Sequence, residues 1–154
     1  MKQILIISLL LTGVFAGCGG SQIVKDELSL SISDEHADAW INLMPGSQQT
    51  FFITGTLTIN NYGDSTVNSI KIMKCLVSQN KAIIYTLNPE LKDTLGSSIS
   101  IEQGQGKVCT FSNPGVELKN EFNPDKPVDL MIYLVSSNKI KQVLIPGVKI
   151  TKAY

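Results

Sequence analysis

The stretch from Thr50 to Asn61 constrains the fold of this chain more than any other. Phe51, Ile53, Gly55, Leu57 and Ile59 occupy one set of alternate positions, and Phe52, Thr54, Thr56, Thr58 and Asn60 occupy the other. Successive side chains of a strand point to opposite faces, so a period of two with one apolar set specifies a strand with one buried face. β-branched and aromatic residues dominate both sets, as a pleated strand favours.

The rest of the chain carries the same kind of signal. Leu28, Leu30 and Ile32 alternate with serines as a first strand. Residues 34–43 fit two readings: Ala37, Trp40, Ile41 and Met44 have helical spacing, whereas Ala37, Ala39, Ile41 and Leu43 alternate. Pro45-Gly46 ends either element. A turn cluster at 60–65 leads to a strand over 67–77, a polar turn at 78–81, and a return strand over 82–87. A polar connection at 88–97 precedes a short strand around Ile99 and Ile101. Gly104 to Gly106 then open a strand over 107–112, with Val108 or Phe111 facing the core. A Pro- and Asn-rich connection covers 113–127, and two closing strands, 128–136 and 139–151, meet at Ser137-Asn138. Pro146-Gly147 inside the last of them predicts a bulge or a sheet edge, because proline cannot donate to a central ladder. Strands with turn signals every 8 to 12 residues, and no clear amphipathic helix, predict an all-β sandwich or barrel.

Two resemblances sharpen this reading. The run Gly55-Thr56-Leu57-Thr58-Ile59-Asn60-Asn61 resembles the G-x-L-x-I-x-N strand signature of small immunoglobulin-like modules in exported bacterial proteins. Ile101-Glu102-Gln103-Gly104, followed by Val108 and Phe111, is similar to their second signature. The resemblance spans residues 50–112 and implies an immunoglobulin-like antiparallel β-sandwich of about seven to nine strands over 25–154. It transfers no active site, because fold alone supplies none.

The second resemblance lies at the start. Lys2 is followed by an apolar run from Ile4 to Leu11 and then by small residues, the order of a secretory signal. The run is shorter than the ~20 residues a membrane span needs. Phe15-Ala16-Gly17-Cys18 resembles the lipobox of bacterial lipoproteins, with Phe where Leu is usual. The resemblance implies cleavage after residue 17, diacylglyceryl transfer to the Cys18 sulfur, and a membrane anchor. Residues 18–24, rich in Gly and Ser, form the expected tether. Gly19, in place of the Asp that retains enteric lipoproteins at the inner membrane, points to the outer membrane of a diderm host.

Removal of the signal takes Lys2 with it, leaving 13 − 1 = 12 basic against 13 acidic residues. The near-neutral domain has no basic footprint for nucleic acid. Every basic residue is lysine, so the bidentate anion recognition that arginine provides is missing. Cys75 and Cys109 fall in expected strands and have two open outcomes: a disulfide, or buried thiols.

Candidate chemistry is sparse. Asp34, His36 and Asp38 place carboxylates around the single histidine, but their spacing matches no metal motif. An exposed acidic segment is the simpler reading, and no metal or other cofactor is expected. No nucleophile elbow and no C-x-x-C pair is present, so the expected function is not enzymatic. Trp40 with Tyr62 or Tyr85 is a candidate surface for stacking a sugar, and the threonine row and the 113–127 connection are candidate contact surfaces. The leading expectation is a membrane-anchored module that binds another envelope protein. A carbohydrate- or metal-binding module and an unrecognised hydrolase are the alternatives.

Overall fold

The computed structural model describes residues 27–93 and 98–154. The alternation from Thr50 is realised along its whole length: in β2 (Thr50–Asn61) Phe51, Ile53, Gly55, Leu57 and Ile59 are buried and every intervening residue is half-buried. β2 is central in its sheet, between β1 (Leu30–Asn42) and β7 (Gly106–Ser112). The ambiguous stretch at 34–43 belongs to β1 and is strand. Pairing with β2 sends Ala39 and Ile41 into the core beside Ile53 and Phe51, while Trp40 points outward beside Phe52. Helical spacing loses because an isolated helix gains nothing comparable to the seven registered residue pairs that His36 to Asn42 make with β2.

The remaining strands are β3 (Val67–Gln79), β4 (Ala82–Leu87), β5 (Glu90–Lys92), β6 (Ile99–Ile101), β8 (Val116–Glu117), β9 (Val128–Ser136), β10 (Lys139–Val148) and β11 (Ile150–Ala153). One sheet runs β11-β1-β2-β7-β5, with β8 also on β2; the other runs β10-β9-β3-β4, with β6 also on β3. With β1, β2, β7 and β5 as A, B, E and D, and β10, β9, β3 and β4 as G, F, C and C′, this is the order of an immunoglobulin-like sandwich. Among the described residues the total is eleven, more than the expected seven to nine: β6 is the short strand expected around Ile99 and Ile101, while β8 and β11 are short additions that the sequence pattern does not separate. β5 likewise lies inside the stretch read as a polar connection. The pairing is antiparallel except for β1 with β11 and an isolated parallel bridge from Glu27 to Ile140.

The core lies between the sheets and is built from both inner faces, with Phe51, Phe111, Leu30, Ile41, Leu57, Leu130 and Ile132 fully enclosed. Phe111, not Val108, faces the core on β7, together with Cys109. Pro146-Gly147 forms a bulge on edge strand β10, with Gly147 at φ +66° and its N–H donating to Asp129 Oδ1 at 2.8 Å. Past the bulge the chain leaves one sheet and joins the other as β11.

Candidate functional site

The candidate site is built on the outer face of the sheet that contains β2. Register places Trp40 beside Phe52, Asp38 beside Thr54 and Ser112, and His36 beside Thr56 and Thr110. All share one face because each is a direct cross-strand neighbour. Trp40 and Phe52 stack with ring centroids 3.9 Å apart and planes 8° from parallel. Gly115, at φ +94° in the connection after β7, brings its backbone against the Phe52 ring. A Cβ there would lie 2.5 Å from Phe52 Cε1, so this approach requires glycine. The result is a half-buried aromatic pair on a largely polar sheet face, which also carries the exposed Val108.

Around it the hydroxyls are partly committed to their own sheet. Thr54 donates to the Phe111 carbonyl at 3.1 Å, and Asn60 Nδ2 donates to Ser33 Oγ at 3.2 Å. His36 Nε2 and Asp38 Oδ2 are 3.4 Å apart, with both side chains exposed. Asp34 does not join them as a third ligand. It sits at φ +50° in the bulge between Ser33 and His36, where the register shifts. Among the described residues no three His, Cys, Asp or Glu side chains gather to hold a metal ion.

The three aromatic candidates do not converge. Tyr62 is exposed just beyond the opposite end of β2. The nine residue steps from Phe52 to Asn61 separate it from Trp40 by about 30 Å at ~3.3 Å per strand residue. Tyr85 is 4% exposed and belongs to the core, which corrects its reading as a binding residue. Its ring packs against Phe51 and Phe122 at centroid distances of 5.3 and 5.5 Å, and its hydroxyl accepts from the Lys119 N–H at 2.9 Å. Burial pushes its phenol pKa up.

The 113–127 connection is likewise tied down rather than free to grip. Gln79 Nε2 donates to the carbonyls of Asn123 and Lys126 at 2.8 and 2.9 Å, and Lys119 Nζ donates to the Ile84 carbonyl at 2.6 Å. Asn113 exchanges hydrogen bonds with Ile53 through its backbone N–H and its side-chain Oδ1.

Cys75 and Cys109 are both free thiols, so no disulfide joins them. Each is enclosed in its own sheet, on β3 and β7, and burial pushes their pKa values up to about 12 and about 11. A thiol so far above neutrality carries almost no thiolate and is inert. Cys18 and the expected signal at residues 1–17 lie outside the described residues.

The residue that the sequence reading passed over is Phe52. It occupies the polar set of the β2 alternation, and an aromatic there, opposite the core-facing Phe51, was the available signal. Set against known proteins, the chain matches no protein-family model, no curated protein and no solved structure.

Proposed function

We propose that this chain is a membrane-anchored envelope lipoprotein, tethered through Cys18, whose sandwich binds another envelope protein without catalysis. The observation that carries the reading is the Trp40–Phe52 pair, half-buried on a broad polar sheet face. Aromatic residues set in a polar surround are the side chains that anchor protein interfaces, because they bury large area at little entropic cost. Phe52 already covers one face of Trp40, which weighs against a platform for stacking sugars. The lipobox-like Phe15-Ala16-Gly17-Cys18 supports the anchor and the envelope location, with Gly19 favouring the outer membrane.

The test is crosslinking in native membranes, followed by purification of the acylated protein and identification of the adduct by mass. A single protein partner is expected, with the adduct reduced at least tenfold by Trp40→Ala. Recovery of a partner-free monomer, or an adduct that Trp40→Ala leaves unchanged, overturns the proposal.

A further inference from the structure

The opposite sheet presents an outer face of different chemistry. Along β10, β9, β3 and β4, register aligns Leu144 with Met131, Leu76 and Thr86, and aligns Ile140 with Val135 and Lys71. Three large apolar side chains project from this face: Ile83 at 60% exposure, Leu144 at 51% and Met73 at 40%. An uncovered apolar sheet face on a folded domain marks a contact surface.

Its charge is one-sided. The outward positions of this sheet and its β3–β4 turn carry lysines 71, 74 and 81 against Asp129, a net charge of 3 − 1 = 2 positive, whereas Lys139 and Lys141 register with the buried Ser136 and Leu134 on the other set of β10, and Lys141 neutralises the adjoining Glu27. Both acids are engaged: Glu27 Oε1 accepts from Lys141 Nζ at 2.6 Å, and Asp129 Oδ1 accepts from the Gly147 N–H. Lys74 Nζ lies 4.7 Å from the Tyr133 ring centroid, so its aliphatic stem and that ring form one amphipathic unit on the face.

The tether enters beside this face. Glu27 forms a parallel bridge with Ile140 on edge strand β10, and the Leu28 N–H donates to the Ile140 carbonyl. Between Cys18 and Glu27 there are only nine residue steps, which span at most about 32 Å. An acyl group on Cys18 therefore holds the β10 edge within one domain's width of the bilayer.

From these three observations we infer that the outer face of β10-β9-β3-β4 rests on the anionic lipid surface of the membrane that holds the anchor. The sandwich lies on its side, with Met73, Ile83 and Leu144 against the headgroup layer and Lys71 and Lys74 among its phosphates. Apolar side chains with lysines beside them are the composition that binds a membrane interface. The Trp40–Phe52 face then points away from the bilayer, open to a protein partner. The inference rests on the acylation of Cys18 and is independent of the identity of that partner.

The test uses the full lipidated protein, processed from its own leader and reconstituted into vesicles of phosphatidylglycerol and phosphatidylcholine that contain a headgroup-quencher lipid. An environment-sensitive fluorophore is placed at Ile83→Cys, Leu144→Cys or Val108→Cys; Cys75 and Cys109 are buried and do not compete for label. Quenching at 83 and 144 at least threefold above that at 108 is expected. It should fall to the Val108 level with Lys71→Glu and Lys74→Glu together, or in pure phosphatidylcholine. Equal quenching at all three positions overturns the orientation. Shielding of 83 and 144 in native membranes but not in vesicles also overturns it, because a protein would then cover the face. The mass of the amino-terminal peptide is read first: an unmodified Cys18 removes the anchor, and the orientation with it, whatever the fluorophores report.

Discussion

Single residues hold the bends and close approaches on which this sandwich depends. Gly55 is not needed for its φ; it is needed because Phe111 lies across it. A Cβ there would meet the His36 carbonyl oxygen and would lie 2.5 Å from the Phe111 ring. Gly55→Ala is expected to destabilise the fold by about 2–3 kcal/mol through overpacking, read as a lower urea midpoint with an unchanged slope. Asn61, the last residue of the strand signature, is buried and satisfies the β2–β3 turn. Its Nδ2 donates to the carbonyls of Ser65 and Ile101 at 2.8 and 3.0 Å, and its Oδ1 accepts from the Gly63 N–H at 3.0 Å. The signature is therefore a folding device rather than a chemical one. The two thiols make a pH prediction. Their native pKa values, about 12 for Cys75 and about 11 for Cys109, stand above the ordinary value of 9.0. Above pH 9 the unfolded chain releases these protons while the native state keeps them, so stability is lost as pH rises toward 11. The expected loss approaches 1.4 kcal/mol per pH unit for each thiol, measured by urea unfolding across pH 8–11. A Cys75→Ala/Cys109→Ala double variant should lose that slope.

At the scale of elements, the hairpin turns leave room for improvement. Asn80-Lys81 and Ser137-Asn138 both hold two consecutive residues at positive φ, as two-residue hairpin turns with a right-handed strand twist require. Lys81, at φ +68°, has no side chain suited to that region. Lys81→Gly creates an Asn-Gly turn and is expected to stabilise the protein by about 0.5–1 kcal/mol, seen as a rise of a few degrees in Tm. The 113–127 connection behaves as an element despite its composition. Phe122 drives it into the core against Phe51, with centroids 4.9 Å apart. Phe122→Ala should cost about 3–5 kcal/mol by leaving a cavity under that connection. A thermal midpoint within a degree of the parent protein would contradict this.

At the scale of the whole molecule, two sheets of one sandwich turn unlike faces outward. One is a threonine-rich surface around Trp40 and Phe52, and the other an apolar surface flanked by lysines. A tether at the β10 edge would place these faces differently with respect to a bilayer, which is why Cys18 bears on both proposals. Cys18→Ser is expected to leave the precursor unprocessed or to release the domain from membranes, assayed by fractionation and by the mass of the amino-terminal peptide. Processing and acylation that persist in that variant would refute the anchor.

The sequence by itself determined the all-β class, the alternation of β2, the closing hairpin and a bulge or sheet edge at Pro146-Gly147. Each of these is written in local periodicity or in backbone chemistry confined to a few residues. Only the tertiary structure decided that residues 34–43 are strand, since their two periodicities were evenly matched until β2 supplied a partner. The same holds for the separation of Trp40 from Tyr62, the burial of Tyr85, the free state of Cys75 and Cys109, and the stacking of Trp40 on Phe52. These depend on register and on which sheet a strand joins, and such contacts between residues distant in the chain leave no local mark.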